Sequence, residues 1–249
     1  MDRIIYTAMG GAARAAEHQA VLSNNMANVS TPGFREQLAM YRSVPVLDGT
    51  SLPTRVSTVT ATPGSNFELG NMETTGRALD VALAGPGWLA IQTPQGEAYT
   101  RAGDLQVGVN GLLQTAQGQP VLSDQNGPID VPELATLTIA SDGTITALGA
   151  GDPPNNILNL GRLKMVNPPD TALVRGDDGV FRMAQGGGLP LPADPALRLM
   201  SGVLESSNAS PIKAMVGMID NARRFEMQMQ VISEADKNAE RANGLLSMN

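Results

Sequence analysis

The chain has 249 residues, of which 42% are hydrophobic and 3% aromatic, and its formal net charge is −7. This length and hydrophobic content are sufficient for a folded core, whereas the shortage of aromatic side chains disfavours a small-molecule pocket. The acidic balance disfavours nucleic-acid binding, because an acidic protein repels phosphates. The absence of cysteine excludes disulfides and thiolate metal sites.

The sequence predicts neither membrane insertion nor a cleaved signal peptide. No apolar run is long enough to cross a bilayer. Near the N-terminus, Arg14, Glu17 and His18 interrupt the compact apolar region that a signal peptide requires. A protein of this kind that leaves the cytoplasm must therefore use an export route that does not depend on such a signal.

Residues 1–31 have the pattern of an amphipathic helix that ends near Val29. Small and apolar side chains recur at heptad spacing, which draws a stripe along one helix face. The residues of this stripe that we predict to form a subunit interface are Ile5, Ala8, Ala12, Ala15, Leu22 and Met26. Pro32 then ends the helix, because the residue before a proline is disfavoured in the helical region.

Residues 32–71 are predicted to form an extended linker. Pro45, Pro53 and Pro63 lie in this segment, with serine and threonine between them. Proline removes a backbone donor and favours extended conformations, so no long regular element is expected here.

Residues 72–204 are predicted to form a β-rich domain. Three turn dipeptides, Asn110-Gly111, Asp142-Gly143 and Asp178-Gly179, lie next to short apolar alternations. Such dipeptides are the strongest local indication of a β-hairpin. Their close spacing predicts an all-β antiparallel domain of the sandwich or barrel-like type.

Residues 205–249 are predicted to contain one long helix that begins at Pro211. Ser210 is placed to cap it, and proline is well tolerated at the first helical position. The predicted interface residues of its apolar stripe are Met215, Ile219, Ala222, Phe225, Met229 and Ile232. We therefore predict an α+β protein whose long terminal helices pair as a coiled-coil-like core and present a surface to neighbouring subunits.

Few residues have the pattern of a catalytic or metal site. His18 is the single histidine, which excludes a multi-histidine metal site or a histidine-based triad within one chain. The carboxylates that leave open a glycosidase acid/base pair are Asp80, Asp104, Asp142, Asp177, Asp178 and Glu205. Because most acidic residues here lie beside glycine in turn contexts, we expect no enzymatic activity and no cofactor or metal. A wall-cleaving glycosidase and an adhesin or filament component remain the alternatives.

The segment 23–35, with the sequence SNNMANVSTPGFR, resembles the N-terminal signature of bacterial flagellar rod and hook proteins. The motif residues are Asn24, Asn25, Asn28, Ser30, Pro32, Gly33 and Phe34. Further resemblances to this family follow in order along the chain, at residues 79–91, 99–122 and 202–208.

Within this family the chain resembles the proximal-rod members most, at residues 1–10 and 223–229 and in the pair Trp88-Leu89. The resemblance implies a structural subunit of the basal-body rod in the periplasm, exported uncleaved through the flagellar type III apparatus. It implies helical polymerisation with itself and with proximal and distal rod proteins, forming the drive shaft and export channel. The implied fold is a rod core made by both termini, with the linker leading to an outer β domain.

Overall fold

The computed structural model describes residues 2–45, 56–60, 64–149, 151, 153, 156–184 and 190–246. The predicted linker therefore lies partly outside the described residues, at 46–55 and 61–63, and so do residues 247–249 of the predicted last helix. The chain divides into two compact units. The first comprises Met1–Asn28, Glu36–Asn66 and Ala209–Asn249, and the second comprises Val29–Arg35 and Phe67–Asn208.

Two long helices dominate the first unit, α1 at Asp2–Ala27 and α2 at Pro211–Leu246. The start of α2 is as predicted, because Ser210 caps it. The Ser210 hydroxyl accepts a long hydrogen bond of 3.4 Å from the Lys213 backbone, and its carbonyl accepts one of 3.0 Å from Ala214. Within the described residues, neither helix contains an apolar stretch of the length that crossing a bilayer requires.

Among its described residues the first unit also contains two short antiparallel strand pairs. Strand β1 (Gln37–Leu38) pairs with β4 (Gly64–Ser65), and β2 (Tyr41–Pro45) pairs with β3 (Val56–Thr60). The Asn25 side chain ties α1 to β1, since its amide donates to the Gln37 carbonyl at 2.9 Å and its oxygen accepts from the Gln37 N–H at 2.8 Å. Asn25 thus acts on β1 as a neighbouring strand would.

Besides a 3-10 helix at Asp170–Ala172, the second unit contains many short strands. They are β5 (Met72–Thr74), β6 (Val81–Leu83), β7 (Trp88–Thr93), β8 (Gly96–Thr100), β9 (Leu105–Val107), β10 (Leu113–Thr115), β11 (Thr136–Ile139), β12 (Thr144–Leu148), β13 (Leu158–Arg162), β14 (Met165–Val166), β15 (Leu173–Arg175), β16 (Phe181–Met183), β17 (Leu199–Ser201) and β18 (Val203–Glu205). A five-stranded sheet has the order β14-β7-β8-β16-β15, and a three-stranded sheet has the order β11-β12-β13. The remaining strands form the antiparallel pairs β9-β10, β6-β17 and β5-β18.

The three predicted turn dipeptides are confirmed as hairpin turns. They connect β9 to β10, β11 to β12 and β15 to β16, each an antiparallel pair. Their glycines, Gly111, Gly143 and Gly179, have φ of +75°, +89° and +82°. These positive values explain why glycine follows Asn or Asp at these turns.

The apolar core lies in the second unit and has two parts. Leu89, Ile91, Leu105 and Ile145 belong to the larger cluster and are fully buried. The smaller cluster is aromatic, and in it the rings of Trp88 and Phe181 lie 4.7 Å apart, centroid to centroid. Half of the eight aromatic residues of this chain therefore lie in this cluster or against it, namely Trp88, Tyr99, Phe181 and Phe67.

The α+β composition is as predicted, but the predicted architecture is wrong in two respects. First, the described strands form several small antiparallel sheets and no single sandwich or barrel. Second, the helices are not a long coiled-coil pair, because a coiled coil buries the large apolar residues of its stripe. Four of the α2 stripe residues are between 41% and 55% exposed, namely Met215, Ile219, Phe225 and Met229. The α2 residues that are buried are small or polar: Ala214, Asn221 and Ala235.

Candidate assembly interface

The contact between α1 and α2 is made by small and polar residues. The Asn221 amide donates to the Ala15 carbonyl at 2.8 Å and to the Gln19 side-chain oxygen at 2.9 Å. At Gly217 an added Cβ would lie 3.0 Å from a Leu22 methyl carbon. The helices therefore approach closely at Gly217, and a hydrogen-bonded asparagine lies where an apolar seam was predicted.

The predicted interface residues of α1 lie inside the first unit. Ala8 and Ala15 are buried, whereas the others are half-buried: Ile5, Ala12, Leu22 and Met26. Because Ala15 and Leu22 contact residues of α2, this stripe already has a partner within the chain.

The predicted interface residues of α2 lie largely on its surface. Met215, Ile219, Ala222, Phe225 and Met229 are exposed, and Ile232 is half-buried. The first two belong to an exposed cluster that we call the α2 apolar patch, formed by Ile212, Met215, Val216 and Ile219. These four side chains are between 49% and 74% exposed and share one helix face, since they lie three, four and seven positions apart. Contiguous exposed apolar side chains of this kind typify interaction surfaces.

The motif segment after α1 is fixed in the second unit by Gly33. Its N–H donates to the Glu205 carbonyl at 2.7 Å, and its φ is +68°. A Cβ at this position would lie 2.2 Å from the Arg101 carbonyl carbon. Glycine is therefore required by both the backbone conformation and the space. The next residue, Phe34, is buried beneath the Arg175 guanidinium, 4.4 Å from the ring centroid.

A buried ion triad holds this segment in place. Glu205 accepts contacts from the Arg35 guanidinium at 2.7 Å and from the Arg101 guanidinium at 2.6 Å. The Gly70 N–H donates to the same carboxylate at 2.8 Å. Burial lowers the pKa of Arg101, an effect opposed by the nearby Glu205 charge. All three charged side chains are almost fully buried, so each depends on the others to offset the cost of leaving water.

The triad joins the segments of the second unit at which the chain enters it from the first unit or leaves it. Besides Glu205, the Arg35 guanidinium contacts the Glu68 carbonyl at 2.8 Å, and the Asn208 amide donates to the same oxygen at 2.8 Å. Segments 29–35, 67–70 and 205–208 are thereby held together. Arg35 thus connects these three segments, since it pairs with Glu205 and donates to the Glu68 carbonyl.

The remaining motif residues have local roles or lie on the surface. The backbone and side-chain nitrogens of Asn28 donate to the Asn24 carbonyl at 3.1 and 2.9 Å, which closes the last turn of α1. Ser30 is exposed and Pro32 is half-buried. Asparagine at a helix end satisfies carbonyls that the helix leaves unpaired.

The carboxylates considered for a glycosidase pair have different surroundings, and three of them are exposed in turns: Asp142, Asp177 and Asp178. Glu205 belongs to the triad, and Asp80 accepts hydrogen bonds from Arg77 at 2.8 Å and from the Thr75 hydroxyl. One oxygen of Asp104 is buried and accepts no hydrogen bond from the described residues. Burial raises the pKa of the Asp104 carboxyl, and the Asp80 charge adds to this effect.

Comparison with known proteins identifies the family. Three family profiles match, described as flagella basal body rod protein (residues 5–35), flagellar hook protein FlgE/F/G D1 domain (82–147) and flagellar basal body rod FlgEFG protein C-terminal (200–245). The FlgF basal-body rod proteins of Salmonella typhimurium and Escherichia coli K12 are 53% and 54% identical to this chain, over the full length of both chains. The chain belongs to the FlgF family of flagellar basal-body rod proteins. The FlgF protein of Buchnera aphidicola subsp. Schizaphis graminum is 33% identical, again over both full lengths.

Membership of the FlgF family confirms the resemblance drawn from the sequence and makes this chain a structural protein of the basal-body rod. The motif segment falls within the first matched profile, and α2 falls almost entirely within the last. The α2 apolar patch and the triad residue Glu205 thus lie in a part of the chain that is typical of rod proteins.

Proposed function

We propose that this chain is a proximal-rod subunit that polymerises helically with itself and with other proximal and distal rod proteins. In this proposal segments 1–31 and 205–249 form the rod core, 32–71 is the linker and 72–204 is the outer domain. The polymer would serve as the periplasm-crossing drive shaft and export channel. The observation that carries the proposal is the α2 apolar patch, whose side chains are between 49% and 74% exposed in the single chain.

The size of the patch supports a polymer over a single pairwise contact. Fully burying an apolar side chain contributes about 1.5–3 kcal/mol, and these side chains are already partly buried in the single chain. Association costs on the order of 4–15 kcal/mol in lost freedom. One patch of this size therefore does not hold two subunits together by itself. Heterologous contacts with several neighbours, as in a helical assembly, supply the remainder.

Family membership also supports two further parts of the proposal. We infer that the flagellar type III apparatus exports the chain into the periplasm, and that the chain acts without catalysis. The related FlgF proteins of Salmonella typhimurium and Escherichia coli are basal-body rod proteins.

The proposal is tested by Ile219→Asp in a strain whose only copy of the gene carries the change. Because Ile219 is exposed, the purified monomer should keep its circular dichroism spectrum and melting temperature. In the assembly the aspartate would be buried without a partner, which costs several kcal/mol, so basal bodies should lack the subunit and motility should be lost.

The matched control is Gln230→Glu, which adds the same charge at another exposed position of α2. This strain should remain motile. Normal rods and motility with Ile219→Asp would overturn the proposed role of the patch.

A further inference from the structure

The first unit contains an open cavity of about 440 Å³. Its walls come from α1, α2 and the segment that leads into β2. The residues that contribute polar or charged groups are Arg14, His18, Tyr41, Asn221, Arg224 and Gln228. Cavities of this size are sufficient for a group of several non-hydrogen atoms.

The cavity carries an excess of positive charge. Arg14 is paired with Glu17 at 2.6 Å, and Glu17 does not line the cavity. Arg224 forms no ion pair with any residue that the structure describes, although Asp220 lies one turn before it on α2. Two guanidinium groups and an imidazole thus line one cavity, and no carboxylate is among its described lining residues. The arrangement suits an anionic group.

The remaining polar groups are held in position by the fold. The Tyr41 hydroxyl donates to the Arg14 carbonyl at 3.3 Å, and the His18 ring meets the Tyr41 ring edge-on at 6.1 Å. Burial and the Glu17 charge raise the pKa of Tyr41, so its hydroxyl stays protonated at neutral pH. Asn221 is fixed by its hydrogen bonds to α1. The cavity is therefore preorganised, which reduces the ordering cost of binding.

The chain itself presents carboxylates that match this site. Asp236 and Glu240 are exposed on α2 and form no ion pair with the described residues. They lie four positions apart, so they are neighbours on the helix and repel each other. A cationic site on another subunit would relieve this repulsion.

We propose that the cavity binds the Asp236–Glu240 carboxylates of a second copy of this chain. This inference rests on the proposed rod assembly and names one contact in it. The end of α2 in one subunit meets the middle of α2 and the α1 face in the next, so two different surfaces join. Such a heterologous contact does not close on itself and propagates along a polymer.

The test compares charge variants of Arg224 with a control at its neighbour. Arg223 is also an exposed arginine on α2, and it does not line the cavity. Arg224→Glu should lower the amount of subunit in isolated basal bodies about tenfold, which corresponds to about 1.4 kcal/mol. Arg223→Glu should change this amount by less than about twofold, because it alters only a solvated charge. Arg224→Gln, which adds no repulsion, should have an intermediate effect.

Exchanging the charges of Arg224 and Glu240 tests whether a second copy of the chain binds in the cavity. Combining Arg224→Glu with Glu240→Arg should restore incorporation to within about threefold of the wild type, because the pair is re-formed with opposite signs. Circular dichroism and melting temperature of each purified variant establish that it is folded. Failure of the exchange in folded variants overturns the second copy as occupant, and equal effects at Arg223 and Arg224 overturn the cavity as a binding site.

The absence of cysteine allows an independent measurement. Subunits with His18→Cys and subunits with Glu240→Cys, expressed together, should form disulfide-linked dimers in oxidised basal bodies. Subunits with His18→Cys and subunits with Ser141→Cys, at an exposed position of the β11–β12 turn, should not. The Ile219→Asp and Arg224→Glu variants are compared in separate strains. If Ile219→Asp prevents incorporation and Arg224→Glu does not, the cavity contact alone is rejected. Normal incorporation of both variants would reject the rod assembly through α2.

Discussion

The Asn221 amide in the middle of α2 donates a 2.8 Å hydrogen bond to the Ala15 carbonyl of α1. Asn221 is only 4% exposed and also contacts Gln19. A buried amide is satisfied at one relative position of two helices and is left unpaired at others, which makes it a determinant of register. We infer that this contact sets how α2 lies along α1.

Asn221→Ala should destabilise the first unit by about 1–2 kcal/mol, because it removes two buried hydrogen bonds and leaves a small void. Urea unfolding followed by far-UV circular dichroism measures this loss. The control is Asn238→Ala, an exposed position on the same helix that should change stability by less than about 0.5 kcal/mol. Equal stability of both variants would show that Asn221 does not hold the helices together.

The helices and hairpins were predictable because their determinants are local. The Ser210-Pro211 start and the turn at Asp142-Gly143 depend on a few adjacent residues. The helix pairing was mispredicted because a stripe in a sequence does not show which partner covers it. The α1 stripe contacts α2, whereas all the large residues of the α2 stripe except Ile232 are exposed.

The triad was not predictable, because its members are distant in the sequence. Arg35 directly follows the motif, and Glu205 ends an apolar strand, but nothing in their spacing links them. Glu205 was considered only as a candidate catalytic carboxylate. In the fold its carboxylate lies between two buried arginines, Arg35 and Arg101, and pairs with both.

Glu205→Gln should lower the free energy of unfolding of the second unit by about 3–5 kcal/mol, because two buried guanidinium groups lose their counter-charge. Thermal unfolding followed by Trp88 fluorescence reports on this unit, since Trp88 is the only tryptophan and lies in its core. Glu73→Gln, at an exposed position on the paired strand β5, is the control and should have little effect. A loss below about 1 kcal/mol for Glu205→Gln would contradict a stabilising triad.

Gly33→Ala should prevent the motif segment from packing in the second unit. The added Cβ would lie 2.2 Å from the Arg101 carbonyl carbon, and the φ of +68° is strained for alanine. We expect low soluble yield and a loss of several kcal/mol in stability. Gly10→Ala is the contrasting change, because a Cβ there meets no atom within 4 Å and alanine favours a helix by about 1 kcal/mol. Unchanged melting with Gly33→Ala would contradict this packing.

The pH dependence of stability should report on Asp104. Its pKa is raised mainly by burial, so the folded chain keeps this proton to higher pH than the unfolded chain. Below the ordinary pKa the carboxyl is protonated in both the folded and the unfolded state, so its titration does not change the free energy of unfolding. As the pH rises, the carboxyl ionises first in the unfolded state, and the free energy of unfolding falls. Asp104→Asn removes this loss, so its melting temperature should exceed that of the wild type by more at neutral pH than at about pH 4. A difference independent of pH would contradict the raised pKa.

Asp80 and Asp104 also provide the decisive test of the glycosidase alternative, because their backbones form a β-bridge and their charges interact. A glycosidase uses one carboxyl as an acid and the other as a base or nucleophile, so loss of either lowers the rate by orders of magnitude. Asp80 is instead held by Arg77 and Thr75, which suits a structural contact.

We expect purified wild type, Asp80→Asn and Asp104→Asn to release no sugar from peptidoglycan above the level of a buffer blank. Digestion by the wild type that either isosteric change abolishes would establish a catalytic pair and overturn the purely structural role. Digestion that survives both changes would place the activity at another site on the chain, and Glu205→Gln would then be the next variant to assay.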